Sequence, residues 1–153
     1  MIPNNKHAFI LLAAGFDATS IIYIVDHLRK AHFDVQLISL QSGLVPSSHG
    51  LWLKPDASLE TADLTHPPHL IVLPDGEGCA TVLLRDPRVH RLLEQVVVEQ
   101  GSVAALPASE LWLHRLSAMG KIPGGQFITK PASSGNGQGI AAFTEQLVAR
   151  LSV

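Results

Sequence analysis

Four side chains in the sequence are suited to chemistry, and each lies beside a turn: Asp17, His49, Cys79 and Ser109. Ser109 and Cys79 could act as nucleophiles, because a hydroxyl activated by a base, or a thiolate at a helix N-terminus, attacks carbonyl carbon. Asp17 or His49 could assist as an acid or base. One hypothesis is therefore a hydrolase or lyase that uses Ser109 or Cys79.

The same residue types also have structural roles, which we favour here. Ser109 precedes ELWLHRL and suits a helix cap, and it lacks the G-x-S-x-G frame of a serine nucleophile. Cys79 suits a small buried position, and the neighbouring Asp75 and Glu77 would raise the pKa of its thiol. Asp17 suits a turn or cap before the first helix.

Metal and cofactor sites are not predicted. The chain has eight histidines, but no pair has the H-x-x-x-H spacing within one helix, and there is no Cys/His cluster. The glycine-rich stretch Ser133–Gly139 precedes a helix and could cradle an anion. It lacks the lysine of a P-loop, so we interpret it as a flexible connection.

Strand and helix patterns alternate along the chain and must position these side chains. The run from His7 to Ala14 is apolar on both faces and predicts a buried strand that ends at Gly15. A helix capped by Thr19 or Ser20 follows, and VQLISL predicts the next strand. The predicted apolar stripe of this helix consists of Ile21, Ile22, Val25 and Leu28.

The rest of the sequence continues the alternation. Further strands are predicted at 50–53, 69–76, 102–106 and 126–129, and helices start at Asp86-Pro87, at Ser109 and near Ile140. This order predicts an α/β fold with a mostly parallel sheet and helices on both faces. Ligands of such sheets bind at the carboxyl ends of strands, so the loops at Gly15, Pro74 and Pro107 should form the site.

The bulk composition restricts the class of protein. The 153 residues suit one domain, 1–153, and 46% apolar residues can form its core. A net charge of -2 argues against nucleic acid as a partner. One cysteine allows no internal disulfide and fits the cytoplasm. No apolar stretch reaches the ~18–20 residues that span a bilayer, so no membrane association is expected.

Four segments in order resemble the ThiJ/PfpI superfamily: AAGFDATS, SSHGLWLKPD, LIVLPDGEG and GSVAALPASELWL. They are similar to the family's Gly-Phe-Glu-Glu turn, its Ser-x-His-Gly segment, its Leu-Pro-Gly-Gly turn and its strand and elbow. The resemblance implies a flavodoxin-like three-layer sandwich of the class I glutamine amidotransferase type. It also implies a binding crevice made of Gly15, Phe16, Asp17, Ala18, Asp75, Gly76, Pro107, Ala108 and Ser109.

The resemblance also implies that the family's catalytic groups are absent. Family members carry a cysteine at a strained elbow, a glutamate that contacts it and often a histidine nearby. The matching positions here hold Pro107 and Ala18, and the segment that would carry the histidine is short. A shift of one or two residues would place Ala108 or Ser109 at the elbow. We expect a pseudoenzyme that uses no cofactor and forms a homodimer. It should bind a small molecule or a protein partner in the crevice.

Overall fold

Strands and helices alternate in the computed structural model, which describes residues 6–62, 65–120, 127–129 and 138–151. The elements in chain order are β1 (His7–Leu12), α1 (Ala18–Lys30), β2 (Asp34–Ser39), β3 (Val45–Pro46), β4 (Trp52–Leu53), β5 (Ala57–Ser58), β6 (Leu70–Leu73), α2 (Glu77–Leu84), α3 (Pro87–Val98), β7 (Ser102–Ala105), α4 (Pro107–Ala118), β8 (Ile128–Thr129) and α5 (Gln138–Leu151).

The main sheet is parallel throughout the part of the chain that is described. Its strand order is β5-β2-β1-β6-β7-β8, and β3 pairs with β4 in a separate antiparallel hairpin. The chain runs outward from β1 to β2 and then returns to β6 on the other side of β1. The order therefore reverses between β1 and β6, and their carboxyl ends form the switch point where such sheets bind ligands.

Helices cover both faces of this sheet. Every residue of β1 from Ala8 to Leu12 is buried, although successive side chains point to opposite faces. Helix α1 packs with α5, whereas α2 packs with α3 and α4. The predicted α/β fold with a buried parallel sheet is confirmed. No helix in the described ranges is both long and apolar enough to cross a lipid bilayer.

Two details of α1 differ from the sequence prediction. The helix starts at Ala18, so Asp17 rather than Thr19 or Ser20 is the N-cap residue. Ile22 is 48% exposed and does not belong to the buried stripe. The buried residues of α1 are Ser20, Ile21, Ile24 and Leu28. The i, i+3, i+7 spacing of the three apolar ones fits one helical face, from which Ile22 is rotated by about 100°.

Helix α3 has the predicted start. The carboxylate of Asp86 accepts a hydrogen bond from the backbone N–H of Arg88 at 2.8 Å, and Pro87 is the first helical residue. After the helix, Gln100 adopts a φ of 64°, and the N–H of Gly101 donates to the carbonyl of Val96 at 2.8 Å. A side chain at position 101 would overlap Val96, so glycine is required there.

Candidate functional site

The loops after β1 and β6 meet at the switch point and are locked together by their backbones. The N–H of Asp17 donates to the carbonyl of Asp75 at 3.0 Å. Gly76 has a φ of 109°, and a Cβ at this position would overlap the carbonyl oxygen of Gly15. The space between these two loops is therefore filled largely by main chain.

The side chain of Asp75 binds the start of α4. Its Oδ1 accepts hydrogen bonds from the backbone N–H groups of Ala108, at 3.1 Å, and Gly76, at 3.0 Å. Ala108 is the second residue of α4, whose first N–H groups have no partner within the helix. A carboxylate here also interacts favourably with the helix dipole. The chain thus supplies its own anion to the N-terminus of α4.

Ser109 lies inside the first turn of α4 and is fully buried. The N-cap residue of this helix is Leu106, so the interpretation of Ser109 as a cap is wrong. Its hydroxyl donates to the carbonyl of Pro74 at 2.6 Å and ties α4 to the loop after β6. A hydroxyl that donates to a carbonyl has no base to remove its proton, so this geometry does not activate an attack.

Pro107 is exposed and is the first residue of α4. Leu106 before it is extended, with φ -80° and ψ 164°. In the described ranges, the non-glycine residues with positive φ are His32 and Gln100, and neither belongs to residues 106–109. Strand β7 therefore passes into α4 through ordinary backbone geometry. The strained elbow that the resemblance implies for a nucleophile is not formed at residues 106–109.

Cys79 is the third residue of α2 and is fully buried. Burial raises the pKa of its thiol to about 12, and the charge of Asp75 acts in the same direction. A hydrogen bond with the backbone of Ala13 acts the other way. The effect of Asp75 agrees in sign with the sequence argument, although burial is the larger cause. At neutral pH this thiol is protonated, which is the unreactive form.

Asp17 and His49 do not combine with either nucleophile. The carboxylate of Asp17 accepts a hydrogen bond from the hydroxyl of Ser20 at 2.7 Å. His49 is exposed in the turn between β3 and β4, and its Nδ1 lies 3.1 Å from the hydroxyl of Ser48. The N–H of Ser48 donates to the carbonyl of Phe16, so the hairpin touches the crevice through its backbone.

Most residues of the predicted crevice contact one another through hydrogen bonds. Gly15, Asp17, Asp75, Gly76, Ala108 and Ser109 are connected by the contacts above, and Phe16 is fully buried beside Ser47, with which it forms a β-bridge. Ala18 is the first residue of α1 and carries no acid. These residues hold the loops in place, and the hydrogen-bonding groups described above already have partners within the chain.

An open cavity that sequence reasoning missed lies beside this crevice, at the carboxyl ends of β1 and β2. It has a volume of about 320 Å³. Its lining comprises Leu12, Ala13, Ala14, Ser39, Leu40, Gln41, Ser42, Leu44, Val45, Pro46, Val82, Asp86 and Arg88. The sequence signal that could have located it is the loop SGLVP directly after β2, since loops at that edge commonly form sites.

The described residues of the site form no metal centre. Among the residues described, no group of three or more His, Cys, Asp or Glu side chains is arranged to hold a metal ion. Most of the Ser133–Gly139 loop lies outside the described residues, and its last two residues belong to α5.

The chain matches the DJ-1/PfpI family over residues 6–148 and belongs to that family. It is 31% identical over 106 residues to the Parkinson disease protein 7 homolog of Danio rerio, a match that covers 68% of this chain and 56% of that protein. The chain therefore matches little more than half the length of this relative. The family resemblance inferred from the sequence is confirmed.

Solved structures support the fold. A DJ-1 superfamily protein of Salmonella typhimurium, crystallised as a cysteine-to-alanine mutant, has a TM-score of 0.80 at 22% identity, with 96% of this chain and 90% of that chain covered. DJ-1beta of Drosophila melanogaster has a TM-score of 0.78 at 21% identity, with 96% and 90% covered. Oxidized DJ-1 of Toxoplasma gondii has a TM-score of 0.77 at 20% identity, with 95% and 90% covered.

Proposed function

We propose that this protein is a non-catalytic DJ-1/PfpI domain that binds a small molecule at the carboxyl edge of its sheet. The observation that carries the proposal is the carboxylate of Asp75 at the N-terminus of α4. In the family pattern this helix follows the cysteine, and the first glycine of Leu-Pro-Gly-Gly matches Asp75. Asp75 in place of that glycine and Pro107 in place of the cysteine are complementary differences. The carboxylate of Asp75 accepts a hydrogen bond at the helix N-terminus, where a thiolate would otherwise be stabilised.

The two remaining nucleophiles support the same proposal. Ser109 donates its hydroxyl hydrogen to a carbonyl, and Cys79 is buried with a raised pKa. Neither His49 nor Asp17 is hydrogen-bonded to them. An acyl-transfer mechanism needs a nucleophile, a base and a free oxyanion site in contact. Here these functions are separated, and the carboxylate of Asp75 already accepts the hydrogen bond of the Ala108 N–H in α4.

The open cavity at β1 and β2 indicates the kind of ligand. Leu44 is 59% exposed and Val82 is 50% exposed at its rim, which leaves apolar surface for the body of a ligand. The guanidinium of Arg88 binds both carboxylate oxygens of Asp86, at 3.1 and 2.9 Å. This pair is neutral overall, and the other N–H groups of Arg88 can donate. We propose a small ligand with an apolar body and one hydrogen-bond acceptor.

The binding test uses two simple probes, benzoate and benzamide, with amide NMR of the ¹⁵N-labelled chain. We expect concentration-dependent shifts at Ala13, Leu44 and Val82 from at least one probe. Val82→Asp should weaken that binding, because it places a charge on the apolar rim. Val98→Asp is the matched control, since Val98 is 68% exposed on α3 and does not line the cavity. Shifts at other residues only, or binding that Val82→Asp leaves unchanged, would contradict the proposed site.

The compartment is a further part of the proposal. We place the protein in the cytoplasm, which the single, buried cysteine supports because a buried protonated thiol is compatible with a reducing environment.

A further inference from the structure

A second groove lies at the opposite pole of the sheet, at the amino ends of β1, β2, β6 and β7. Its volume is about 820 Å³, well above that of the carboxyl-edge cavity and within the usual range for ligand sites. Phe9, which is 5% exposed, contributes an apolar part of the lining, and Gln36 and Gln100 contribute amides. Nothing in the proposed function uses this groove.

Three histidines line the groove, and two of them are held by contacts. The rings of His7 and His69 stack with their centroids 6.1 Å apart and an interplanar angle of 11°. The backbone N–H of His7 donates to Nδ1 of His69 at 3.1 Å, and Nδ1 of His7 lies 3.0 Å from the carboxylate of Asp34. His66 lies in the loop before β6 and completes the set.

The charge of the groove changes sign when these rings are protonated. With neutral imidazoles, the charged lining residues are Lys6 against Asp34 and Glu99, so negative charge is in excess. The other described residues of the lining carry no charge. Protonation of three imidazoles adds three positive charges, and positive charge is then in excess. Histidine is the side chain that commonly changes its charge near neutral pH, so mild acid favours the positively charged groove.

Protonation of His69 is opposed in the empty groove and should be favoured by a bound anion. Its pKa is lowered, first by partial burial and then by the positive charges of His7 and Lys6. The acceptor role of Nδ1 also favours the neutral ring. An anion in the groove would offset the repulsion between His7, His69 and Lys6, so anion binding and proton uptake should promote each other.

We propose that the groove at the amino ends of the strands is a second ligand site, which takes up a dianionic oxyanion, free or carried on a small molecule, in mildly acidic solution. Lys6, His7, His66 and His69 supply the positive charge. Asp34 holds the ring of His7, and Glu99 repels the anion when the rings are neutral. The site is independent of the carboxyl-edge cavity, so either proposal can fail without the other.

Inorganic sulfate is the first probe, because it keeps both charges between pH 5.5 and 7.5 and any pH effect then belongs to the protein. We expect at least about tenfold tighter binding at pH 5.5 than at pH 7.5, since protonated histidines are the minority form above their ordinary pKa. Histidine ring NMR of the wild-type chain should show the His69 titration moving to higher pH as sulfate is added. Sodium chloride at equal ionic strength is the control for general screening.

Variants and a second probe complete the test. His69→Gln should reduce sulfate binding at pH 5.5 several-fold, whereas His114→Gln, an exposed histidine on α4 outside the groove, should not change it. Benzene-1,3-disulfonate distinguishes the sources: tighter binding than sulfate indicates an organic carrier, and equal binding indicates the free ion. Sulfate binding that is independent of pH would overturn the proposal. A His69 titration that does not move when sulfate is added would also overturn it, and this measurement uses the wild-type chain.

Discussion

At the scale of single residues, Cys79 shows how position controls reactivity. The same thiol at an exposed helix start would be partly ionised, whereas burial here raises its pKa to about 12. We expect iodoacetamide at pH 8 to label the native chain only as fast as the chain opens. The chain in denaturant should react at the rate of a free thiol. Native labelling as fast as that of glutathione would contradict the assigned burial.

The role of Ser109 shows the limit of local sequence patterns. Helix α4 begins two residues before this serine, at Pro107, and proline is common at the first helical position. The sequence therefore contains two competing start signals, Pro107 and Ser109, and the proline marks the observed start. The hydrogen bonds of Asp75 to Ala108 and of Ser109 to Pro74 join residues more than thirty positions apart. No local spacing in the sequence specifies these two hydrogen bonds, so only the three-dimensional structure reveals them.

At the scale of elements, the junction of the β1 and β6 loops depends on Gly76. Its positive φ and its contact with the carbonyl of Gly15 leave no room for a Cβ. We expect Gly76→Ala to lower the free energy of unfolding by about 2–4 kcal/mol, from backbone strain and overlap together. Gly78→Ala is the matched control, because open space surrounds that position inside α2, and it should be neutral or stabilising. Equal effects of the two changes in urea unfolding would contradict the described junction.

The N-terminus of α3 gives a pH-dependent prediction. The pKa of Asp86 is lowered, first by the hydrogen bond from the side chain of Arg88. Its stabilising effect is therefore present above the ordinary carboxyl pKa and is lost as the pH falls through the lowered value. Asp86→Ala should cost about 1–2 kcal/mol at pH 7, as other cap deletions do, and progressively less as the pH falls through the lowered carboxyl pKa.

The control for Asp86 is Asp26, whose exposed carboxylate pairs with Lys30 one turn along α1. Asp26→Ala should cost less than about 0.5 kcal/mol. Thermal unfolding over the same pH range measures both variants. A cost for Asp86→Ala that stays constant from pH 7 to pH 2 would show that the carboxylate does not act through its charge.

The elements differ in how well the sequence specifies them. Buried strands such as β1 and β6 leave apolar runs, and α3 has a cap, a proline and an apolar stripe, so these were predicted closely. Strands β3 and β5 have two residues each, too few to show a period of two. Their pairing depends on neighbours already in place. The strands and helices around the site could thus be predicted, but the hydrogen bonds between its loops could not.

At the scale of the whole molecule, the hairpin of β3 and β4 presents apolar side chains to solvent. Trp52 is 59% exposed, and Leu51 beside it is 45% exposed. We propose that a second copy of the chain covers this face. Light scattering at micromolar concentration should give a dimer, and Trp52→Ser should shift it toward monomer. Val98→Ser, also at an exposed apolar position, should leave the dimer intact. A monomeric wild-type chain would contradict this assembly. The organisation of residues 1–153 as one domain also stays a prediction.

The proposed loss of catalysis depends on two contacts, the hydrogen bond from Ala108 to the carboxylate of Asp75 and the hydrogen bond from Ser109 to the carbonyl of Pro74. Turnover of methylglyoxal, p-nitrophenyl acetate and a casein substrate, measured side by side for the wild type, Ser109→Ala and Cys79→Ala, tests it most directly. We expect the wild type to be no faster than either variant, with all three rates at the level of buffer. Turnover that the wild type shows and one folded variant lacks would contradict the claim and assign the nucleophile.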